Sequence, residues 1–419
     1  MIDEPSNLHI RRARENDLPE MARIHQASFP GARMNLQETI AHIRENPRIS
    51  LEDYWVCERN GRLVGLFALY DFTMHRAGAL IPAGGIGSVA VAPESRRAGI
   101  AQYMMAQAVE IMDRNSRPLS ILYPFRHSFY RQLGWGVVGK VRMYLLSPHS
   151  LPDFPERSGV EPVLTQVERE QVMECYTRFA RRGNGLIQRP DAQWNERIFK
   201  NAVCFAYREP ASGKVEGYLT FRYTQYPVEE SFVSTEIEVG DFVHNSPGAL
   251  RGLLGFLSAQ RDQVRIIHFP DREELPLEHL LTNPRMPGGR HDWTLGAETG
   301  RIGCGLMGRI VNLRRALKAV EPIGDGSGDI VLKVTDDLNP RNSTPLAVEI
   351  TDGKVAFPKR QKISLTLSTD IATFSSIYWG ALQLNEAILL GLAQIEGQGD
   401  ITFFNHLSAV PRPMCLDFF

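Results

Sequence analysis

The sequence predicts a three-domain protein of mixed α/β and α+β class, and three observations support this. Strand and helix patterns alternate through residues 1–148, and a second alternating stretch follows at 149–300. From residue 301 to residue 419, alternating strands joined by Asp/Gly turns are combined with apolar helices. The chain of 419 residues is long enough to form several separate cores.

The first domain begins with a strand at residues 8–13, followed by a helix over "LPEMARIHQASF". Asp17 is the expected N-cap of this helix, because Glu20 three residues later gives the spacing of a capping box. Asn60 and Gly61 lie between two apolar runs and predict a tight hairpin. The residues expected on the buried face of the helix are Leu18, Met21, Ile24 and His25.

A polar loop follows the apolar strand at residues 86–91. Arg96, Arg97 and Gly99 lie at the start of a long amphipathic helix. Backbone N–H groups at a helix start have no intrahelical partner and carry the positive end of the helix dipole. Gly99 permits close approach, Ala101 is small, and the two arginines add positive charge. The loop therefore predicts a cradle for phosphate oxygens.

The second and third domains have weaker local signals. Residues 234–260 repeat the strand-then-helix order, but no arginine pair follows that strand. In the third domain, an amphipathic helix is expected at residues 305–320 and another helix at 378–397. Alternating strands are expected at residues 328–338, 345–357 and 362–374.

The composition argues against several classes of protein. A net charge of -1 gives no general attraction for nucleic acid. No apolar run reaches the roughly 18 residues of a membrane span, and the N-terminus lacks the apolar core of a secretory signal. Five scattered cysteines have no metal-ligand spacing, and no HExxH or GxSxG motif is present. We therefore expect a reduced, cytoplasmic compartment and no metal.

Two segments resemble a known enzyme family. The segment "VAVAPESRRAGIA", residues 89–101, is similar to the acetyl-CoA loop of the GNAT N-acetyltransferases, which follows a bulged strand. The segment "FYRQLGWGVV", residues 129–138, is similar to the tyrosine segment of the Eis family within that group. The layout also resembles the Eis family, which has tandem GNAT-like modules followed by a sterol-carrier-protein-like α+β domain. In that layout the second module lacks its own acetyl-CoA loop.

The resemblance implies acetyl-CoA-dependent transfer of an acetyl group to a primary amine. Tyr130 would be the general acid that protonates the leaving thiolate. The free carboxylate of Phe419 would be the general base, because chains of this family end in a residue whose carboxylate reaches the active site. The implied cofactor-binding residues are Val89, Val91, Arg96, Arg97, Gly99 and Ala101.

The implied acceptor is a cationic amine such as an aminoglycoside, a polyamine or a lysine side chain, on a small molecule or a peptide. Carboxylates that could attract it are Glu38, Asp71 and Asp417. The resemblance also implies a homo-oligomer, with a hexamer as one form. The sequence departs from the family pattern at Ser88, where an aromatic residue is usual, and at Leu133 and Trp135, where Phe and Tyr are usual. These departures concern the shape of the acceptor pocket.

Two other functions are compatible with the same sequence. In one, the C-terminal domain binds a lipid or another small ligand and the GNAT modules are a scaffold. In the other, the enzyme acetylates a protein terminus. The intact loop and Tyr130 favour an active enzyme over a scaffold.

Overall fold

The computed structural model describes residues 7–200, 202–225, 235–271, 274–289, 291–292, 296–321, 323–324, 326–359, 363 and 365–419. The first part of the chain forms six strands and four helices in its described residues. The strands are β1 (Leu8–Arg12), β2 (Tyr54–Arg59), β3 (Arg62–Arg76), β4 (Ala79–Val91), β5 (Leu119–Leu122) and β6 (Gly136–Val137). The helices are α1 (Leu18–Ser28), α2 (Leu36–Arg44), α3 (Ile100–Arg114) and α4 (His127–Gln132).

The middle part contains ten strands and three helices in its described residues. The strands are β7 (Lys140–Leu146), β8 (Val160–Pro162), β9 (Asn184–Ile187), β10 (Val203–Arg208), β11 (Val215–Gln225), β12 (Thr235–His244), β13 (Val264–Asp271), β14 (His291–Asp292), β15 (Gly296–Ala297) and β16 (Gly300–Cys304). The helices are α5 (Gln166–Arg182), α6 (Asp191–Gln193) and α7 (Pro247–Ser258), and a π-helical turn continues α6 over Trp194–Phe199.

The last part contains six strands and four helices in its described residues. The strands are β17 (Met307–Ile310), β18 (Gly328–Thr335), β19 (Leu346–Thr351), β20 (Lys354–Ala356), β21 (Thr366–Asp370) and β22 (Ala393–Glu396). The helices are α8 (Leu313–Lys318), α9 (Ile371–Tyr378), α10 (Leu384–Leu389) and α11 (Thr402–Asn405).

Three large sheets organise the molecule. The first has the order β1-β2-β3-β4-β5-β17-β6, with β9 pairing on β3. The second has the order β16-β7-β13-β12-β11-β10-β8, and the third has the order β20-β19-β18-β21-β22. One parallel pair occurs in each sheet, namely β4 with β5, β12 with β13, and β18 with β21. The mixed α/β and α+β class predicted from the sequence is confirmed.

Sheet membership does not follow the predicted domain limits at residues 148 and 300. Strand β7 lies before residue 148 but pairs with β13 and β16 in the second sheet. Strand β17 lies after residue 300 but pairs with β5 and β6 in the first sheet. Proline-rich and polar residues mark a loop, but they do not determine which sheet the flanking strands join.

Local predictions were right for the first domain, apart from one cap. Asn60 and Gly61 form the hairpin turn with φ of +53° and +75°, and the predicted apolar face of α1 is buried. Asp17 precedes α1 as expected, but its side chain does not cap that helix. Its carboxylate instead accepts from the Arg14 N–H at 2.7 Å and pairs with Arg11 at 2.7 Å, which stabilises a short 3-10 turn.

Three helix and strand predictions in the last domain were wrong in part. Residues 307–310 form a strand rather than the start of a helix, because the edge of β5 offers them a partner. The strand predicted to reach residue 374 ends at Asp370, whose side chain accepts from the Thr373 N–H and starts α9. The helix predicted over 378–397 is interrupted, and residues 393–396 pair with β21.

The first and last domains share one hydrophobic core. This core joins α1, α2 and one face of the first sheet to the third sheet, α9 and the final residue, Phe419. A fully buried ion pair links the first and third sheets, because Arg309 Nη2 of β17 lies 2.6 Å from an oxygen of Asp336, the residue that follows β18. On the other face of the first sheet, a second core packs α3 and α4. The C-terminal domain is therefore packed against the first module.

All five cysteines are free thiols, and four of them are buried. In the described part of the chain, no helix combines the length and the apolar character needed to cross a bilayer.

Candidate active site

A β-bulge in β4 lies at the centre of the first module. Leu66 of β3 faces Ala90 of β4, and Ala68 faces Gly87. The single residue between them on β3 is therefore opposed by two residues on β4, Ser88 and Val89. Ser88 has a φ of +50°, which bends the strand at this point.

Beyond the bulge, β4 and β5 diverge. Their parallel pairing runs from Ala83 with Leu119 to Ile86 with Leu122, where β5 ends. Strand β4 continues for five more residues, to Val91. This stretch of β4 leaves backbone groups facing an opening in the sheet, where a ligand chain can add hydrogen bonds in place of a strand.

The predicted phosphate cradle closes one end of this opening. Gly99 is the N-cap of α3 with a φ of +74°, a conformation that favours glycine, and Arg97 has a φ of +61°. The first turn of the 15-residue α3 presents its backbone N–H groups there. Arg96 donates to the Ala27 carbonyl at 2.9 Å and so ties the loop to α1. The Arg97 side chain is exposed.

All six residues predicted to bind the cofactor line one cleft of about 760 Å³. Arg126 also lines it and adds a third positive charge for which the sequence offered no signal. The cationic end, the α3 N-terminus and the apolar walls suit a molecule with phosphate groups and a long flexible arm. The other lining residues are Ala27, Ser28, Phe29, Pro30, Ser95, Ile100, Gln102, Phe125, Phe129 and Gln132.

Tyr130 lies behind the wall of this cleft rather than on its surface. Its ring packs against Phe125 and Phe129, which do line the cleft, with centroids 5.5 and 5.0 Å away. The side chain is buried, and within the described residues no protein group hydrogen-bonds to its hydroxyl. Burial raises the pKa of Tyr130 well above its usual value. The phenol is therefore protonated at neutral pH and available as a hydrogen-bond donor.

The C-terminal tail enters the first module and is held along its length. The Met414 N–H donates to the Asn184 carbonyl at 2.8 Å. The Tyr123 hydroxyl donates to the Asp417 carbonyl at 2.9 Å, and Arg48 donates to the Phe418 carbonyl. The terminus is thus ordered by hydrogen bonds from the first and second modules.

Phe419 ends this tail inside the molecule, with 9% of its surface exposed. Its ring contacts the rings of Tyr70, Phe72 and Tyr123, with centroids 5.4, 4.9 and 5.5 Å away. A carbon added at Gly87 would lie 3.6 Å from the Phe419 carboxyl carbon. The terminal carboxylate therefore lies beside β4, one residue before the bulge.

A second pocket of about 890 Å³ opens on the opposite side of the bulge. Ser88 and Phe419 line this pocket, whereas Val89 lines the first cleft, and Phe29 lines both. Two groups bound in the two cavities would meet at the bulge. The remaining lining residues are His25, Ala32, Met34, Glu38, Ala41, His42, Glu45, Asn46, Pro47, Arg48, Tyr70, Gln193 and Phe418.

The three acidic candidates occupy different places. Glu38 lines the second pocket, although its carboxylate accepts from the Asn35 N–H at 2.8 Å as part of a capping box. Asp71 is exposed and pairs with Arg117. Asp417 is buried, with its side chain directed to Arg189 rather than to the pocket. Of the three, only Glu38 lines the second pocket.

Two histidines of the second pocket were not predicted as site residues. His25 was expected on the buried face of α1, and it lines the pocket with its ring centroid 6.0 Å from that of His42. Burial, and to a smaller extent His42, lowers the pKa of His25 to about 4. Burial and Arg48 lower the pKa of His42. Both rings are therefore neutral at pH 7.

Glycines in the interior of β4 were a sequence signal for the buried terminus. A carbon added at Gly85 would meet Phe72 at 2.2 Å and Phe419 at 3.0 Å. One added at Gly87 would meet Tyr70 at 2.9 Å. Glycine inside a strand often marks a close approach of another group, and here the approaching group is the end of the chain.

Comparisons with known proteins agree with this architecture. Residues 9–138 match a family described as an acetyltransferase (GNAT) domain, and residues 185–310 match a second family with the same description. Residues 313–416 match a family described as a sterol carrier protein domain. The predicted order of the three modules is confirmed.

Relatives are found among the bacterial N-acetyltransferases. An uncharacterized N-acetyltransferase of Streptomyces avermitilis is 23% identical over 86% of this chain and 87% of its own length. The N-acetyltransferase Eis of Mycobacterium tuberculosis is 25% identical over 76% of this chain and 76% of its own length.

Solved structures share the whole fold. A GCN5-related N-acetyltransferase from Anabaena variabilis superposes with a TM-score of 0.81 at 22% identity, covering 99% of this chain and 100% of its own. Eis1 from Mycobacterium abscessus superposes with a TM-score of 0.76 at 20% identity, covering 98% of this chain and 100% of its own. The two GNAT domain matches and the relatives show that the chain is an N-acetyltransferase of the GNAT group, and its domain order and sequence are similar to those of the Eis N-acetyltransferases.

Proposed function

We propose that the protein transfers the acetyl group of acetyl-CoA to a primary amine, with Tyr130 as general acid and the carboxylate of Phe419 as general base. The observation that carries this proposal is the bulge, because Ser88 lines one cavity and the adjacent Val89 lines the other. An amine in the second pocket would meet a thioester carbonyl in the first cleft at that point. The Phe419 carboxylate lies next to the same bulge.

The first cleft is assigned to acetyl-CoA, which supplies an activated acetyl thioester. Arg97, Arg126 and the N–H groups of the α3 first turn would bind the phosphates. Backbone groups of Val89 and Val91 would bind the pantetheine arm, because β5 no longer pairs with β4 there. A backbone N–H at the bulge would also polarise the carbonyl that is attacked.

The terminal carboxylate would take the proton of the incoming ammonium group. An α-carboxyl group has a pKa of about 3.5, so it is an anion at neutral pH. As the amine nitrogen bonds to the acetyl carbon, the carbon–sulfur bond breaks and the sulfur leaves as a thiolate. Tyr130 would donate a proton toward that sulfur. Its raised pKa keeps the phenol protonated until the thiolate forms. The acylated nitrogen would release its remaining surplus proton to water, and Tyr130 would regain a proton from water after protonating the sulfur.

The acceptor is proposed to be a cationic amine carried on a partly apolar body. Glu38, Glu45 and the terminal carboxylate supply negative charge, and Arg48 opposes part of it. Most other walls are apolar or aromatic, as at Phe29, Met34 and Tyr70. Aminoglycosides, polyamines and lysine peptides are therefore to be compared with amines that carry one ammonium group on an aromatic or aliphatic chain.

The test is thiol release from acetyl-CoA with a panel of these four acceptor classes, under saturating acetyl-CoA. Turnover with any primary amine, lost with the corresponding N,N-dimethylamine, supports the reaction. Failure of every amine, combined with no binding of acetyl-CoA, would refute it and favour a ligand-binding scaffold. A peptide with a free N-terminus and no lysine is added to the panel, and turnover with it alone would favour acetylation of a protein terminus. Light scattering on the same samples tests the expected homo-oligomer and its hexameric form.

A further inference from the structure

A buried ionic cluster in the second module reaches the C-terminal tail. The Arg189 side chain has no exposed surface, and its Nη1 and Nη2 lie 2.5 and 3.0 Å from the two carboxylate oxygens of Asp241. Its Nε donates to Asp417 Oδ1 at 2.8 Å. Gln193 also donates to this Asp417 oxygen. One guanidinium therefore joins the core of the second module to a residue two positions before the end of the chain.

The geometry of this cluster fixes the guanidinium on all sides. The Tyr218 hydroxyl donates to Asp241 Oδ2 at 2.8 Å. The Arg189 Cζ lies 4.2 Å from the centroid of Tyr176 and 4.8 Å from that of Trp194. A bidentate carboxylate and two aromatic rings leave the planar group little freedom to rotate. Its third nitrogen, Nε, points to the tail.

Asp241 occupies the bulge position of the second module. Leu219 of β11 faces Phe242 of β12, and Phe221 faces Val239. Thr220 is therefore opposed by two residues, Gly240 and Asp241, and the Asp241 N–H donates to Thr220 Oγ1 at 2.9 Å. This is the same irregularity that Ser88 and Val89 form in the first module.

In the described residues of the second module, two aromatic side chains occupy the place where the first module has its cleft. Phe242 and Phe269 pack there with ring centroids 4.9 Å apart, and both are buried. Helix α7 begins directly at Pro247, capped by Ser246, without an arginine loop. The second module therefore keeps the bulge, but Phe242 and Phe269 fill the space that corresponds to the first cleft. Asp241 at this bulge contacts Arg189.

We propose that Arg189, oriented by Asp241, is a positioning residue for the reaction in the first module. It holds Asp417, and through Asp417 it places the carboxylate of Phe419 beside the bulge of β4. The second module would then immobilise the C-terminus, although chain termini are ordinarily poorly ordered, and so fix the position of a catalytic group. This inference depends on the proposed function of the Phe419 carboxylate.

The experiment compares Arg189→Met, Asp417→Asn and a variant lacking Phe419, with Arg76→Met as the control. Arg76 is also buried at a contact between domains, where it donates to the Tyr378 and Leu407 carbonyls, but it does not contact the tail residues 414–419. We expect kcat to fall about 100-fold in Arg189→Met and about 10-fold in Asp417→Asn, since small displacements of a reacting group cost this much. The dissociation constant of acetyl-CoA should stay within twofold of wild type. Arg76→Met should keep its kcat.

Non-additivity separates positioning from general stability. If Arg189 acts through the terminal carboxylate, Arg189→Met should lower kcat little further in a chain that already lacks Phe419. The inference would be overturned if the kcat losses of the two single variants multiplied in the double variant. Full activity in Asp417→Asn would also overturn it. This variant keeps the shape of the side chain and so serves as the test if Arg189→Met fails to fold. Full activity in the variant lacking Phe419 would instead overturn the proposed base itself.

Discussion

The carboxyl carbon of Phe419 lies 3.6 Å from the position that a Gly87 side-chain carbon would occupy, so the last residue of the chain closes on a strand near its beginning. The ring of Phe419 is held by three aromatic neighbours, and the tail before it is held by Tyr123, Arg48 and Arg189. The active site therefore requires that the three domains be assembled before the proposed base is in place.

Replacing Gly87 by Ala tests this close approach. The added carbon would lie 2.9 Å from the Tyr70 ring, which must shift and displace the Phe419 ring packed on it. We expect kcat to fall about 10-fold while acetyl-CoA binding is unchanged. The control is Gly303→Ala, because an added carbon there meets nothing within 4 Å. Equal activity of the two variants would contradict the placement of the terminus.

The two loop arginines should have different roles. Arg97→Gln removes an exposed charge at the cleft, and we expect the dissociation constant of acetyl-CoA to rise about 10-fold, equivalent to about 1.4 kcal/mol, with the same kcat at saturation. The increase should shrink at high salt, because the contact is solvent-exposed. Calorimetric titration measures it, with the exposed Arg62→Gln as control. Unchanged affinity in Arg97→Gln would exclude a phosphate contact there.

Arg96→Ala should act on the loop rather than on charge alone. The Arg96 side chain donates to the Ala27 carbonyl at 2.9 Å, so its loss frees the loop from α1. We therefore expect weaker acetyl-CoA binding that high salt does not restore to the wild-type value. A salt response equal to that of Arg97→Gln would show that Arg96 acts only as a charge.

Tyr130→Phe tests the general acid. We expect kcat to fall about 100-fold without a change in acetyl-CoA affinity, the usual range for the loss of an acid–base group. Because burial raises the pKa of Tyr130, the wild-type rate should show no falling limb from this residue up to about pH 9. Tyr223→Phe is the control, since Tyr223 is 53% exposed. Wild-type kcat in Tyr130→Phe would assign the tyrosine to packing.

His25 should make the protein less stable in acid. Its pKa is lowered from 6.5 to about 4 by burial, so between these values the unfolded chain binds a proton that the folded chain does not. Stability therefore falls as pH drops from about 6.5 to about 4, by about 3 kcal/mol at about 1.4 kcal/mol per pH unit. The free energy of unfolding is measured with denaturant at pH 7 and at pH 4.5. Between these pH values it should fall less in His25→Gln than in wild type or in the exposed control His9→Gln. An equal loss in all three proteins would refute the assignment.

Much of the first cleft, the proposed acetyl-CoA site, was predictable, because its signals are local. The apolar strand, the turn and the helix start that bring together Val89, Arg97 and Gly99 lie within a few residues of one another. Their proximity follows from secondary structure alone, and the hairpin at Asn60 and Gly61 is equally local.

The second pocket and the tail that lines it depend on contacts between distant residues. Arg189 and Asp417 are separated by 228 residues, and neither is marked by its neighbours as one of a pair. The pattern at residues 307–310 fits a helix or a strand, and pairing with β5 and β6 decides between them. Asp17 was predicted to cap α1 because Glu20 follows it by three residues. Its carboxylate instead pairs with Arg11. Predictions failed where a partner from elsewhere in the chain determined the local structure.

The most direct test of the central claim is the pH dependence of kcat/KM for wild type and for the variant lacking Phe419, measured with one good amine acceptor alongside acetyl-CoA binding. If the terminal carboxylate is the base, the variant should bind acetyl-CoA normally and lose about 100-fold or more in kcat/KM at neutral pH. It should regain part of that loss at high pH, where the free amine is abundant. A wild-type kcat/KM and an unchanged pH profile in the variant would contradict the claim.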